Sequence, residues 1–165
     1  MSGELLLSVN IRLAKIEDIT AIQQIAKKSW AKTYENLLPV SVQEAYLNEY
    51  YSTEQLYHKL KITFFFVLET DNELVGFANL YRSERENDLS AIYLLPDFQQ
   101  KGMGKALLKK VINQLQEGDE LVVYLEKGNE QAEMFYKNNG FTFLEEFQET
   151  FFNHIFNTVK MSLKI

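Results

Sequence analysis

The chain has 165 residues, 46% of them hydrophobic and 13% aromatic, which is enough for one globular domain with a substantial core. Its net charge of −6 argues against a nucleic-acid-binding protein, which would normally present a basic face. The absence of cysteine excludes disulfides, thiolate catalysis and cysteine-ligated zinc, and the two histidines, His58 and His154, are too few and too far apart to suggest a metal site.

The N-terminal segment does not resemble a secretory signal, because it carries Glu4 and only three consecutive leucines. No apolar run approaches the length of about 18 residues that is typical of a membrane-spanning helix. We therefore expect a soluble, cytoplasmic protein with no membrane or nucleic-acid partner. The acidic balance weakly favours a cationic substrate, although mild acidity is also common for solubility. The sequence does not decide between a monomer and a homodimer.

The N-terminal part of the chain predicts a strand followed by an amphipathic helix. Apolar residues alternate across residues 8–14, as in a half-exposed strand. Glu17 and Asp18 suit the first turn of a helix, because acidic side chains interact favourably with the helix dipole. Apolar side chains then recur at helical spacing as far as Trp30. This helix should end before Pro39, since the residue preceding a proline disfavours helical backbone angles.

Two further helical segments follow before the next strand. Ser41 is expected to cap the second helix, with Glu44 three residues later completing a capping box. Ser52 or Thr53 is expected to begin another, short helix that runs to about Leu60.

Tyrosines and glutamates are concentrated in these helices. Aromatic faces and carboxylates both attract cations, so the region is a candidate wall for an amine substrate. The alternative, which we favour for most of these residues, is that the tyrosines pack half-buried between helices and the glutamates form a solvated face. The residues concerned are Tyr34, Tyr46, Tyr50, Tyr51 and Tyr57, interleaved with Glu35, Glu44, Glu49 and Glu54.

The remainder of the chain alternates between strands and helices. Asp71 and Asn72 are typical turn residues between two strands of a hairpin, and Gly118 suits a left-handed helix cap. Asn129 is expected to cap the last helix, which ends at Asn139 and Gly140. The predicted strands are 64–69, 74–81, 88–94, 121–125, 141–149 and 155–163, with helices from 103 to about 115 and from 129 to 139. The order β-α-α-β-β-β-α-β-α-β-β indicates an α+β fold, with helices covering a mixed sheet, in a single domain over residues 1–165.

A glycine-bearing turn links the buried strand that ends at Leu95 to the helix that begins at Met103. Gly102 and Gly104 at the start of this helix would let a ligand approach the backbone. The first amides of a helix have no intrahelical partner and lie at its positive end, a combination that binds phosphate. The alternative is that the glycines only make a tight turn. Neither a dinucleotide fingerprint, which would need a glycine at position 107, nor a Walker A loop is present.

Residues 99–104, QQKGMG, resemble the Q/R-x-x-G-x-G/A pyrophosphate loop of the GNAT acetyltransferase superfamily. Residues 129–141, NEQAEMFYKNNGF, resemble the N-x-x-A-x-x-F-Y-x-x-x-G-F segment of the same superfamily. Both motifs in this order are a specific combination, and the resemblance covers roughly residues 8–165. It implies the GNAT fold, with a mostly antiparallel mixed sheet, and acetyl-CoA as the co-substrate with no metal.

The resemblance also implies roles for individual residues. Tyr136 takes the position of the phenol that protonates the leaving thiolate, and Asp88 takes the position of the acidic residue on the preceding strand. Asp88 is therefore our candidate base, acting through water because its side chain is short, while Glu69 and Glu86 remain alternatives. The implied coenzyme A contacts are Ile92, Tyr93, Leu94, Gln99, Gln100, Lys101, Gly102, Met103, Gly104, Lys105, Ala106, Asn129 and Tyr136.

The expected function is acetyl transfer from acetyl-CoA to a primary amine of a small molecule, by direct attack in a ternary complex. Short segments around Tyr34, Tyr46 and residues 52–56 are similar to bacterial polyamine acetyltransferases of the PaiA type, which makes spermidine and spermine the first acceptors to consider. Acetylation of a protein N-terminus or lysine is one alternative. A non-catalytic acetyl-CoA-binding sensor is the other, although such a protein would not need Asp88 and Tyr136.

Overall fold

The computed structural model describes residues 8–165 as a seven-stranded sheet with helices on both faces. The strands are β1 (Val9–Leu13), β2 (Phe64–Thr70), β3 (Glu73–Arg82), β4 (Asn87–Leu94), β5 (Glu120–Glu126), β6 (Thr142–Phe151) and β7 (His154–Lys164). The helices are α1 (Ile19–Thr33), α2 (Val40–Tyr50), α3 (Thr53–Ile62), α4 (Met103–Ile112) and α5 (Glu130–Asn138).

The strand order in the sheet is β1-β2-β3-β4-β5-β7-β6. All neighbouring strands are antiparallel except β4 and β5, which run parallel. The predicted α+β class with a mixed, mostly antiparallel sheet is therefore confirmed. Three helices lie between β1 and β2, as the three helical segments predicted there require, although the predicted order counts only two; α2 and α3 are separated at Tyr51 and Ser52.

Two core clusters lie on opposite faces of the sheet. Helices α1 and α3 pack on one face through residues such as Ile22 and Leu56, against Phe77 of β3. Helices α4 and α5 pack on the other face through residues such as Leu107, against Leu121 of β5. No helix within residues 8–165 combines the length and the apolar character needed to cross a bilayer.

Several predicted caps and turns can be compared with the structure directly. Ser52 caps α3 by accepting a hydrogen bond from the Gln55 amide at 3.2 Å, as predicted. The prediction that Ser41 caps α2 is wrong, because α2 begins one residue earlier, at Val40. The Pro39 carbonyl already accepts the amides of Val42 and Gln43, so Ser41 lies inside the helix.

The predicted end of α4 also needs a correction. Gly118 has the predicted positive φ, at +95°, but the regular helix stops at Ile112. Tighter turns follow, in which the Gln114 amide donates to Val111 and the Leu115 amide donates to Ile112. Gly118 therefore shapes the approach to β5 and is not the residue directly after the helix.

Candidate active site

The parallel pair β4 and β5 separates after only two residue pairs. Asn87 lies opposite Leu121 and Asp88 lies opposite Val122, and the ladder goes no further. The amide of Leu95 donates to Val75 in β3, and successive amides of a strand point to opposite edges. The amides of Ile92 and Leu94 therefore face the gap between β4 and β5, where they can donate to a ligand.

The glycine turn lies between β4 and the first turn of α4. Gly102 has a φ of +83°, and a Cβ built on it would meet no atom within 4 Å. Within residues 8–165 no side chain caps this helix, and its first bond runs from the Ala106 amide to the Gly102 carbonyl at 3.1 Å. The preceding amides, 103–105, are thus free to donate. Open space beside free amides at a helix N-terminus fits a phosphate group.

The other residues of the turn have different surroundings. Gln99 donates from Nε2 to the Leu94 carbonyl at 3.2 Å, and its Oε1 accepts from Gln131 at the same distance. Met103 is 5% exposed and belongs to the core, so only its backbone can reach a ligand. Packing explains the glycine at position 104, because a Cβ there would lie 3.2 Å from Phe135 of α5. Ala106 is half-buried, whereas Gln100, Lys101 and Lys105 are exposed.

Asn129 lies at the start of α5 and caps it, as predicted, by accepting a hydrogen bond from the Ala132 amide at 3.2 Å. Its side chain also interacts with the buried hydroxyl of Tyr34. Burial raises the pKa of Tyr34, and hydrogen bonding from Tyr93 and Asn129 opposes that rise. A cleft of about 320 Å³ separates Asn129 and Gln99 from the segment that connects α1 to α2.

Tyr136 projects from α5 into the core between two phenylalanines. Its ring centroid lies 5.4 Å from that of Phe135 and 5.2 Å from that of Phe141, both in edge-on geometry. Burial, followed by the nearby Tyr34 hydroxyl and the negative charge of Asp88, raises the pKa of Tyr136 above its usual value. The phenol therefore stays protonated at neutral pH, as a proton donor must.

Asp88 lies where the two strands separate. Its neighbour Leu89 points into the core cluster beneath α4, so the half-buried carboxylate of Asp88 lies on the opposite face, towards α1 and α2. Burial, and then the negative charge of Glu86, raises the pKa of Asp88 to about 6, while Lys160 acts in the opposite direction. A cavity of about 410 Å³ lined by Asp88, Glu86 and Arg85 adjoins it.

The two alternative carboxylates have other partners. Glu69 accepts hydrogen bonds from Asn10 at 2.8 Å and Arg12 at 3.4 Å between β1 and β2, away from the gap. Glu86 accepts a hydrogen bond from the Tyr124 hydroxyl at 2.7 Å and pairs with Lys160 at 3.3 Å. Both alternatives are therefore engaged in other contacts, and Asp88 remains the candidate base.

Three of the five tyrosines of the proposed wall share an aromatic cluster around Trp30. The Trp30 ring lies 4.5 Å from Tyr34 and 4.3 Å from Tyr46, and Tyr50 lies 4.6 Å from Tyr46. Tyr51 is buried against Phe77, and Tyr57 is 41% exposed. Glu44, Glu49 and Glu54 are exposed, and Glu35 forms a surface pair with Lys32. The packing interpretation therefore holds for Tyr34 and Tyr51, which are both 8% exposed, and the glutamates form the solvated face.

The structure adds a carboxylate that the sequence alone did not predict. Glu126 ends β5 on the same face as Asp88, and its Oε1 accepts the Asn157 amide at 3.1 Å. Burial raises the pKa of Glu126, and the neighbouring His154 opposes this rise. The predicted strand stopped at Leu125, one residue short, and strand alternation carried one step further would have located Glu126.

A family model described as an acetyltransferase (GNAT) domain matches residues 22–165. The chain belongs to this family. This membership confirms the predicted class of enzyme, an N-acetyltransferase. No group of three or more potential ligands that could hold a metal ion occurs within residues 8–165.

Known proteins similar to this GNAT acetyltransferase agree with that assignment. Spermidine N(1)-acetyltransferase of Thermoplasma acidophilum is 28% identical over 143 residues, which cover 82% of this chain and 89% of the relative. The crystal structure of the PaiA N-acetyltransferase of that organism, in complex with coenzyme A, superimposes with a TM-score of 0.82 at 27% identity, covering 96% and 99% of the two chains. The ribosomal-protein-S18-alanine N-acetyltransferase of Escherichia coli shares the fold, with a TM-score of 0.73 at 20% identity, over 96% and 94% of the chains.

Proposed function

We propose that this GNAT enzyme acetylates a primary amine of a small polycation, with spermidine and spermine as the first candidates. The observation that carries the proposal is the pairing of a half-buried carboxylate, Asp88, with the half-buried rings of Tyr46 and Tyr50, which lie 4.6 Å apart on the same face of the sheet. Carboxylates and aromatic faces both attract alkylammonium groups. The T. acidophilum relative named as a spermidine N(1)-acetyltransferase supports the same acceptor.

The glycine turn and the gap between β4 and β5 would hold acetyl-CoA, which supplies an acetyl group activated as a thioester. The open space beside Gly102 and the free amides 103–105 suit the pyrophosphate. Lys101 and Lys105 would add mobile positive charge, and Asn129 would contact the pantetheine arm. The remaining proposed contacts are Tyr93, Gln99, Gln100, Met103, Gly104, Ala106 and Tyr136.

The free edge of β4 would orient the acetyl group. The amides of Ile92 and Leu94 point into the gap, where fixed N–H dipoles can stabilise negative charge that develops on a carbonyl oxygen. Because these donors are held by the β3–β4 ladder, they need no rearrangement when charge appears on that oxygen. The backbone thus contributes stabilisation that does not depend on the identity of the side chains at these two positions.

Asp88 and Tyr136 would handle the protons. An alkylammonium has a pKa of roughly 10.4, so it must lose a proton before it attacks. Asp88, with a pKa of about 6, is ionised at neutral pH and can accept this proton, through water because aspartate is short. Tyr136 would donate its proton to the departing thiolate, which leaves on the α5 side of the gap.

Steady-state turnover of acetyl-CoA against a panel of amines tests the proposal. The panel should hold spermidine, spermine, propylamine and a basic peptide with a free N-terminus. We expect the highest kcat/KM with spermidine or spermine. A higher kcat/KM with the peptide would instead make this a protein N-acetyltransferase. Tight acetyl-CoA binding without turnover of any amine would indicate a sensor.

A further inference from the structure

The turn between β6 and β7 has an unusual residue at its tip. Phe151 pairs with His154, so the hairpin closes through two residues, Phe152 and Asn153. Both have positive φ, +54° and +57°. Turns of this kind favour asparagine, aspartate and glycine, because the Cβ of a bulky residue such as phenylalanine crowds the left-handed backbone.

A second hairpin of the same chain provides an internal comparison. The turn between β2 and β3 also has two residues, Asp71 and Asn72, with φ of +51° and +66°. Both are residue types that tolerate this backbone conformation. The same turn geometry therefore carries suitable residues in one hairpin and a phenylalanine in the other, which indicates that the Phe152 side chain has a role beyond making the turn.

The Phe152 ring reaches from the hairpin to α2. Its centroid lies 6.4 Å from Tyr46 and 6.5 Å from Tyr50, edge-on to both rings. Tyr46 in turn stacks on Trp30, the centre of the aromatic cluster, and the charge of Asp88 reaches it. Phe152 thus joins the β6–β7 hairpin to the helices over the face that carries Asp88, while remaining 37% exposed.

We propose that Phe152 determines which acceptors bind, by closing the α2 end of the acceptor region with a third aromatic ring beside Tyr46 and Tyr50. The proposal rests on the acceptor assignment given above. A long di- or polyamine whose reacting nitrogen lies near Asp88 would extend its methylene chain and its distal ammonium along these rings. A short monoamine would not reach them. Phe152 would then contribute to the selectivity for long amines and little to the chemistry.

Phe152→Asn separates this role from a structural one. The substitution removes the ring but supplies a residue that suits a left-handed backbone, so we expect a thermal unfolding midpoint within a few degrees of the parent protein. The ratio of kcat/KM for spermidine to that for propylamine should fall by about tenfold, in line with the loss of one cation–aromatic or methylene contact. The KM for acetyl-CoA should stay unchanged.

Two matched variants complete the experiment. Phe152→Tyr keeps the ring and should keep the ratio, whereas Asn153→Gly relaxes the same turn without touching the ring and should also keep it. An unchanged ratio in Phe152→Asn, or an equal loss with both amines, would overturn the proposal. If Phe152→Asn fails to fold, Phe152→Gly provides the same comparison.

The parent protein shows whether the acceptor assignment itself fails. If the parent protein shows no preference for spermidine over propylamine, the polyamine proposal fails and the role of Phe152 fails with it. If the parent protein prefers spermidine and Phe152→Asn preserves that preference, only the inference about Phe152 fails. Fluorescence of Trp30, the single tryptophan, gives a second measurement, since spermidine affinity should weaken in Phe152→Asn and not in Asn153→Gly.

Discussion

The hydroxyl oxygens of Tyr34 and Tyr93 lie 3.4 Å apart, one at the C-terminal end of α1 and the other on β4 beside the gap. Burial raises the pKa of both phenols, so both stay neutral. Each phenol carries one proton, and their mutual hydrogen bond uses one of the two. The other is available to a group in the gap. This pair therefore connects the acceptor-side helices to the proposed cofactor side.

We expect a non-additive effect on stability when this pair is removed. Tyr34→Phe or Tyr93→Phe alone leaves a buried hydroxyl without its partner and should cost about 1–2 kcal/mol, whereas the double variant should cost less than the sum. Urea denaturation of the four proteins measures this. Additive losses would show that the two hydroxyls do not interact.

Tyr136→Phe should lower kcat and leave the KM for acetyl-CoA within about twofold. The substitution removes the proposed proton donor but keeps the ring between Phe135 and Phe141, and general acids contribute typically 10²–10⁴-fold. Tyr51→Phe is a suitable control, because Tyr51 is equally buried but packs against Phe77 in the core. If chemistry is rate-limiting and kcat is equal in both variants, Tyr136 is not the proton donor and serves only in packing.

The pH dependence of kcat/KM should report Asp88, because kcat/KM follows the titration of the free enzyme. A base with a pKa of about 6 is ionised above that pH and protonated below it, so kcat/KM should fall as the pH drops through about 6. Glu86→Gln removes a negative charge and should move the midpoint of this fall to lower pH. Lys160→Gln removes a positive charge and should move it to higher pH. A midpoint that stays at the same pH in both variants would mean that a different group titrates.

Gly102→Ala should weaken acetyl-CoA binding by about tenfold or more, because a methyl group would project into the open space beside the free amides. Gly118→Ala is the matched control. Both glycines have positive φ, and at both a methyl group would meet no atom within 4 Å, so both variants should lose a similar stability of about 1 kcal/mol. Calorimetry should find reduced affinity only in Gly102→Ala. Gly104 is less suitable, since its substitution would also disturb Phe135.

The KM for spermidine should rise with ionic strength more than the KM for acetyl-CoA. The chain carries a net charge of −6, and the proposed acceptor face includes Asp88, Glu86 and Glu126. Salt shortens the Debye length from about 10 Å at 0.1 M to about 3 Å at 1 M, which screens attraction between exposed charges. Backbone amides hold the proposed pyrophosphate site and are less affected. Equal salt dependence for both substrates would argue against electrostatic recognition of the amine.

The parts of the fold that the sequence predicted are those governed by local chemistry. The first strand, the Asp71–Asn72 turn and the Asn129 cap each depend on a few neighbouring residues, and each is present. The predicted start of α2 was wrong because the Pro39 carbonyl already accepts the first helical amides, which leaves Ser41 inside the helix.

The parts that the sequence could not predict depend on contacts between distant residues. Nothing near Asp88 indicates that β4 and β5 separate just beyond it, because the partner strand lies more than 30 residues away. The raised pKa of Asp88 likewise depends on burial and on Glu86 and Lys160 in three dimensions. In the sequence Phe152 is an ordinary neighbour of a turn, and only the fold brings its ring against Tyr46.

The early separation of β4 from β5 divides the sheet into two hydrogen-bonded blocks, β1–β4 and β5–β7, which share only two residue pairs. The line of weakest backbone pairing therefore runs through the region proposed to receive acetyl-CoA. A molecule lodged there would contact both blocks, and only the folded chain could bind it, so it would oppose unfolding by about 2.7 kcal/mol at 100 times its Kd. Heat tolerance and resistance to proteolysis should then follow the supply of the acetyl donor.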